Sequence, residues 1–387
     1  MMKHWKQHRS ISVLALLLFL TACQTVTQST SVTAPGTPLP TGTKGSSLPG
    51  LQVPAGFSIS LFTSGLRGSR FITFAPNGTL LVAERNSGAI SALPDATHAG
   101  KASAKQVVVS GLKDPTSLVI DHGYLYVGEA DQVSRYALSA NLTASGKTVL
   151  VPNLPTGGSH ITRTVLVGTD GMLYVSVGSS CNNCIEANAQ RATVMQYHLD
   201  GNGGRIYARG LRNAVGLANN PVTGEVWVTN NGRDNLGDDI PPETLYALKD
   251  GGNYGWPRCH AGTIIDPDLG HAGDCNGVQM PLLAMQAHSA PLGLAFTTGT
   301  AFPAAYHGLF VAFHGSWNRT IPTGDKVVYI PLDAKGNVAG KAQDFVTGWQ
   351  TNGHDSARPV GLAFGPDGAL YISDDATGSI FRMTYTG

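Results

Sequence analysis

One pattern recurs along this chain and constrains its fold more than any other feature: a short apolar strand, a polar turn with glycine, and a second apolar strand. Three copies read Phe71-Ile-Thr-Phe-Ala-Pro-Asn-Gly78-Thr-Leu-Leu-Val-Ala83, Thr116-Ser-Leu-Val-Ile-Asp-His-Gly123-Tyr-Leu-Tyr-Val127 and Arg163-Thr-Val-Leu-Val-Gly-Thr-Asp-Gly171-Met-Leu-Tyr-Val175. Three more are Ala214-Val-Gly-Leu-Ala218 with Gly224-Glu-Val-Trp-Val228, Leu292-Gly-Leu-Ala-Phe296 with Gly308-Leu-Phe-Val311, and Val360-Gly-Leu-Ala-Phe-Gly-Pro-Asp-Gly368-Ala-Leu-Tyr-Ile372. Asn-Gly and Asp-Gly supply the positive φ angles of two-residue hairpin turns, and the flanking residues are β-branched or aromatic. Each copy therefore reads as a hairpin.

The six hairpins recur at intervals of about 45 to 85 residues with little helical periodicity between them, whereas the strands of a sandwich recur every 8 to 12 residues or so. The spacing predicts an all-β fold, a six-bladed β-propeller with four-stranded antiparallel blades, over residues 51–387. The long interval from Gly224 to Gly308 has room for a seventh blade and is read instead as a functional insertion. Ring closure should pair the segment from Phe57 to Phe62 with the last blade, from Leu370 to Met383, because both would otherwise be bare edges.

The ends read differently. Lys3, Lys6 and Arg9 precede an apolar run from Ile11 to Leu20, too short to span a bilayer and flanked like a signal peptide, so residues 1–22 are expected to be removed. The run closes on Leu20-Thr21-Ala22-Cys23, which resembles a bacterial lipobox and makes Cys23 a lipid-anchored N-terminus; a plain secretory signal is the alternative. Gln24 follows, with no Asp retention signal, which favours export to the cell envelope and an outer membrane site facing the periplasm where the host has two membranes. Residues 23–50 are Ser, Thr, Pro and Gly with almost no large apolar side chain, and read as a flexible tether. With 26 basic and 25 acidic residues, nothing marks a surface for nucleic acid.

Four cysteines remain in a compartment where disulfides persist. Of three possible connectivities, the local pairs Cys181–Cys184 and Cys259–Cys275 are preferred. A zinc or redox dithiol role for the CxxC lacks a second CxxC.

Between the hairpins lie polar stretches that a scaffold does not require. They are Gly157-Gly-Ser-His160-Ile-Thr-Arg-Thr164 with Val177-Gly-Ser-Ser-Cys-Asn182, Gly210-Leu-Arg-Asn-Ala-Val-Gly-Leu-Ala218, Asn230-Asn-Gly-Arg-Asp-Asn-Leu-Gly-Asp-Asp-Ile-Pro-Pro-Glu243 running to Gly252-Asn-Tyr-Gly-Trp-Pro257, and Phe313-His-Gly-Ser-Trp-Asn-Arg319. In this order they resemble the glucose/sorbosone dehydrogenase family of pyrroloquinoline quinone (PQQ) enzymes, most closely its L-sorbosone dehydrogenase branch, over nearly everything after the tether.

The resemblance implies oxidation of a sugar or sugar-derived aldehyde with PQQ and Ca²⁺. His160 stands where the family has its general base, a role that suits an imidazole near neutral pKa. Arg212 and Asn213 match the pair that stabilises charge on the quinone oxygen. Arg70 and Arg358 resemble arginines facing the central mouth, suited to PQQ carboxylates. His314, Trp317 and Arg319, with Asn318 and His288, would line the mouth, and Trp256 reads as packing. Calcium takes hard oxygen ligands, and the family's backbone donors fall on Gly232 and Arg233; Asp234, Asp238 and Asp239 are carboxylate candidates, although a Gly-Asp-Asp turn before two prolines is also ordinary capping chemistry.

Two departures stand out. The glucose-oxidising branch has an acidic residue where this chain has Ser179-Ser180, and a cofactor-binding Gln that the stretch Lys113-Asp-Pro-Thr-Ser117 lacks. Without a CxxCH motif, electrons must pass to a separate acceptor, a cytochrome or a quinone. Two rival readings share the fold: a Ca²⁺-dependent propeller lactonase, which should gather several carboxylates at the mouth, and a non-catalytic lipid-anchored scaffold.

Overall fold

Every predicted hairpin forms the first two strands of a separate sheet. Blade 1 comprises Ser69–Phe74, Leu80–Glu84, Ala89–Leu93 and Gln106–Val109, and blade 2 Ser117–Asp121, Tyr124–Gly128, Val133–Leu138 and Ala144–Val151. Blade 3 comprises Val165–Val167, Leu173–Val177, Thr193–Tyr197 and Arg205–Arg209, with the short Gly252–Asn253 added parallel at its outer edge, and blade 4 Ala214–Asn219, Val226–Asn230, Glu243–Ala247 and Leu283–Met285. Blade 5 comprises Pro291–Phe296, Gly308–Phe313, Lys326–Pro331 and Gln343–Val346; blade 6 comprises Pro359–Phe364, Leu370–Asp374 and Ser379–Tyr385. The computed structural model describes residues 48–351 and 353–387, so the leader, Cys23 and the tether up to residue 47 lie outside the described residues.

The fourth strand of blade 6 comes from the other end of the chain: Phe57–Thr63 pairs antiparallel with Ser379–Tyr385, from Phe57 opposite Tyr385 to Thr63 opposite Ile380. This is the expected ring closure. Phe57 is fully buried, with ring centroids 4.9 Å from those of both Phe302 and Tyr306, so the closing strand is anchored in the seam between blades 5 and 6.

The turns differ from the two-residue expectation in most blades. Ala75 N–H donates to Thr79 O and Gly78 N–H to Ala75 O, giving a three-residue loop in which Gly78 takes φ 82°. The Gly171 and Gly368 turns have the same bonds, and in all three an Asx side chain caps the backbone, as Asn77 Oδ1 does for Thr79 N–H. A type I turn followed by a left-handed residue splays the strands less than a bare type I turn, and glycine occupies that left-handed position. Only His122-Gly123 makes a two-residue turn among these, with φ 44° and 79° and Asp121 paired directly to Tyr124.

Each seam between neighbouring blades holds its own apolar core, from Leu118, Leu125 and Val127 against Leu81 and Ile90 in one to Trp227 and Leu245 against Leu309 and Val311 in another. Near the axis, the innermost strands come too close for side chains. A Cβ on Gly216 would lie 2.1 Å from Leu292 O, and one on Gly293 2.4 Å from Val360 O, which explains the repeated Gly-Leu-Ala. Hydroxyls satisfy carbonyls across these seams: Ser117 donates to Arg163 O, Thr229 to Leu292 O and Ser373 to Arg70 O. The Gly224 to Gly308 interval contains the outer strands of blade 4 and an excursion from Leu248 to Leu282, closed by the Cys259–Cys275 disulfide, as the insertion reading expected.

Candidate active site

In an antiparallel blade, the start of the first strand and the end of the second lie at one edge, and all six such edges meet at one mouth of the ring. His160, Arg212, Arg358 and Arg70 sit at first-strand starts; Ser179, Asn231, His314 and Asp375 sit at second-strand ends.

His160 is carried by a loop whose carbonyls are cupped by two buried arginines. Arg163 donates to the carbonyls of Pro155, His160 and Thr162, and Arg191 to those of Thr156, Gly157 and Gly178. The imidazole Nδ1 lies 3.1 Å from Ser179 O and 2.9 Å from Ser179 Oγ, while Nε2 has no hydrogen-bond partner among the described residues. Burial pushes the imidazole down to about 3, the charges of Arg212 and Arg191 add to the shift, and the bond to the Ser179 carbonyl opposes it. The ring is therefore neutral throughout the neutral pH range.

Arg212 is buried beside it. Its Nε donates to Asn182 O (3.0 Å), and Nη2 donates to Asn182 Oδ1 (2.9 Å) and Asp234 Oδ2 (2.6 Å). Asn182 also accepts Asp234 N–H and donates to Asp234 O, so the Cys181–Cys184 loop and the 231–234 loop are locked through one guanidinium. Asn213 donates from Nδ2 to Asn231 Oδ1 and reaches the same small gap as His160: a Cβ on Gly178 would touch both.

Asp234 extends the network. Asn318 Nδ2 lies 3.4 Å from Asp234 Oδ1 and 3.3 Å from His288 Nδ1, which joins the mouth loop of blade 5 to that of blade 4. From there His314 Nε2 is 2.9 Å from Asp375 Oδ1, and Arg70 Nη1 is 2.6 Å from Asp375 Oδ2. Arg358 donates from Nε to His314 O and from Nη2 to Gly315 O. Burial pushes the Asp375 carboxyl up, yet His314 and Arg70 outweigh it and hold it well below the usual carboxylate range.

Thus Arg70, Arg358 and His314 gather on one side of the mouth, and His160, Arg212 and Asn213 on the other. Trp317 is 71 % exposed. Arg319 does not join them: its guanidinium braces the 238–239 loop through Asp238 O and Asp239 Oδ1. The Arg233 side chain turns away to Asp266 and Asp268 in the insertion, and Trp256 is buried with Nε1 donating to Asn182 O. Asp238 caps Thr320 N–H.

Gly232 O and Arg233 O accept no backbone or side-chain hydrogen bond from described residues, which leaves two hard carbonyl donors free. Gly232 is held from behind by Glu243, whose buried carboxylate accepts Gly232 N–H (2.7 Å) and Ala290 N–H (3.1 Å). The cluster of Cys181, Cys184 and Glu186 is no thiolate site, because both cysteines are disulfide-bonded. Both expected disulfides form.

Asp375, Asn182, Glu243 and the two arginines under the His160 loop escape the sequence reading. A signal for Asp375 exists: counted from the aromatic in the second strand, it occupies the same place as His314 after Phe310 and Asn231 after Trp227.

Comparison with known proteins bears directly on this constellation. The TrAA12-like family model matches residues 51–269 and 264–386. The chain belongs to the TrAA12-like family. Among relatives of this TrAA12-like propeller is the "Pyrroloquinoline quinone-dependent sugar dehydrogenase" of Hypocrea jecorina, 28 % identical over 390 residues, covering 85 % of this chain and 88 % of that protein. The holo form of the pyranose dehydrogenase PQQ domain from Coprinopsis cinerea superposes with a TM-score of 0.76 at 26 % identity, covering 86 % of this chain and 97 % of that one. The calcium structure of the Trichoderma reesei family AA12 enzyme gives 0.76 and 26 %, covering 89 % and 99 %.

Proposed function

We propose that this chain is a PQQ-dependent sugar dehydrogenase, an oxidoreductase that removes a hydride from a sugar carbon and the proton from its hydroxyl. The observation that carries the reading is a neutral His160 with Nε2 unspent, set beside Arg212 and Asn213 and across the mouth from Arg70 and Arg358.

The residues present fit the cofactor. Arg70 Nε is buried without a partner, and Arg358 Nη1 donates to no described residue, so guanidinium hydrogens remain for the carboxylates of PQQ. The free carbonyls of Gly232 and Arg233 suit Ca²⁺. Related proteins are named for PQQ dependence, and one related structure for calcium.

When bound, PQQ supplies an oxidant that accepts hydride from the substrate carbon. The chain's own part is to hold the sugar so that His160 Nε2 accepts the hydroxyl proton of that carbon, while Arg212 and Asn213 offer a buried cation and an amide where negative charge develops. Asp234 and Asn182 hold Arg212 in place, so its donors need not reorganise during the reaction. A cyclic aldose would leave as a lactone, and a hydrated aldehyde such as sorbosone as an acid.

The substrate class we infer is of sorbosone or aldose type, with electrons leaving to a separate cytochrome or quinone. The chain would work exported and lipid-anchored through Cys23, in the envelope and facing the periplasm where there are two membranes. A lactonase should present unpaired carboxylates, whereas Asp234 and Asp375 are both ion-paired.

The test reconstitutes purified apoprotein with PQQ and Ca²⁺ and follows dye reduction across aldoses, sorbosone and simple aldehydes. Substrate-dependent reduction that vanishes without PQQ is expected; lactone hydrolysis without PQQ, or no PQQ binding, would reject the reading. His160→Gln should retain PQQ binding while turnover falls about 10²- to 10⁴-fold, the range for a lost general base; unchanged turnover would remove His160 from the mechanism.

A further inference from the structure

We propose that Ser179 is a positioning residue for this reaction: its hydroxyl relays the Cys181 carbonyl of the disulfide loop onto His160 Nδ1 and so keeps Nε2 as the basic nitrogen. The inference rests on the sugar dehydrogenase reading.

Three contacts carry it. Ser179 is fully buried, and its Oγ donates to Cys181 O at 2.7 Å. Having spent its single hydrogen there, Oγ can only accept from His160 Nδ1, 2.9 Å away. The Ser179 carbonyl, 3.1 Å from the same nitrogen, can also only accept. Both contacts therefore require hydrogen on Nδ1, and the neutral ring carries its lone pair on Nε2. The reverse tautomer would set a nitrogen lone pair against a carbonyl oxygen and bury the nitrogen that must take the proton.

The anchor of the relay is rigid. Cys181 is closed onto Cys184, and Asn182 between them is held by Arg212 and by Asp234 N–H. One short loop thus orients both the base and the cation beside it.

A neutral relay also sets the strength of the base. The charged groups facing His160 are the guanidiniums of Arg163, Arg191 and Arg212; the carboxylates of Asp234 and Glu186 are turned to Arg212 and to Ser180 N–H. No anion touches Nδ1. A carboxylate at residue 179 would supply one, raising the imidazole's proton affinity.

The experiment uses two readouts. In ¹⁵N-histidine-labelled apoprotein, with the resonance assigned by its loss in His160→Gln, long-range ¹H–¹⁵N spectra should show the Nδ1–H tautomer. In the PQQ- and Ca²⁺-loaded enzyme, Ser179→Ala should lower kcat about tenfold or more at unchanged PQQ affinity. Ser179→Asp should move the acidic limb of the kcat–pH profile upward by about one unit or more. An Nε2–H tautomer in the unmodified protein would overturn the proposal, as would wild-type kcat and an unmoved acidic limb in both variants. Should the loaded enzyme oxidise no sugar, the functional reading falls, while the tautomer measurement still decides the role of Ser179.

Discussion

Asp234→Asn separates two roles for one carboxylate, counter-ion to Arg212 or ligand to calcium. The Arg212 side chain is 5 % exposed and that of Asp234 20 %, with 2.6 Å between Nη2 and Oδ2. Removing one member of a buried pair costs about 3–5 kcal/mol, because the remaining charge is left uncompensated. The amide can still turn its oxygen to Arg212 and keep one hydrogen bond, worth about 1 kcal/mol, so the expected loss is about 2–4 kcal/mol. Its NH₂ would then face Asn318 Nδ2, and Asn318 can answer by turning its buried, unpartnered Oδ1 inward at the cost of its contact with His288. Urea unfolding of apoprotein in EGTA measures the loss directly. It should have the same size with and without Ca²⁺, and PQQ affinity should fall as Arg212 loosens. Wild-type stability in EGTA, with only the Ca²⁺-dependent increment missing, would refute the counter-ion argument and make Asp234 a ligand.

Two further variants test other parts of the mouth. Gly178→Ala would bring its Cβ to 2.5 Å from His160 Cβ and 2.9 Å from Asn213 Oδ1, so kcat should fall about tenfold or more with about 1–3 kcal/mol of stability lost; wild-type kcat would show that the gap is slack. Asp325 is buried, with its carboxyl pushed up to about 7 by burial, then by the charge of Asp355, against the pull of Arg358. Its folded pKa lies above the unfolded value, so its stabilising contribution is complete below about pH 4 and is lost as pH rises through 7. Asp325→Asn should therefore raise stability near pH 8, by up to about 4 kcal/mol at ~1.4 kcal/mol per pH unit, and change little near pH 4. Thermal unfolding at the two pH values checks this, and an equal effect at both would overturn it.

What the sequence makes legible is whatever one blade decides by itself. The Asn-Gly and Asp-Gly turns, the apolar strand pairs and the local cysteine pairs all involve partners within about a blade's length, and all six hairpins and both disulfides are present. Turn length was missed because dipeptide identity does not distinguish a two-residue turn from a type I turn that ends on a left-handed glycine; only His122-Gly123 takes the shorter form among the glycine turns described above. Ring closure was legible for a different reason: two orphan edge strands at opposite ends of the chain have one obvious way to satisfy each other.

Side-chain partnerships across seams were not legible. Arg70 and Asp375 are 305 residues apart and meet only because blade 6 closes onto blade 1, so the sequence places Arg70 at the mouth without its partner and shows Asp375 as one more acidic residue after a strand. Arg319 differs from its expected place similarly, since it stands within a dense motif and yet spends its guanidinium on the Asp238 carbonyl and the Asp239 carboxylate, while the Arg233 side chain turns to Asp266 and Asp268 and leaves only its carbonyl for the expected role. Arg233 is buried as Arg212 is, so what sets Arg212 apart is the geometry of its acceptors. Arg212 is enclosed by Asn182 and Asp234 on two loops that both face the axis, whereas Arg319 spans two loops at the rim. A blade motif thus specifies which residue stands at the mouth, and the neighbouring blade decides what its side chain is free to do there. For that reason the polar groups left unspent at the seams, the Arg70 Nε–H donor and the carbonyl oxygens of Gly232 and Arg233, say more about what this propeller binds than the motif residues do alone.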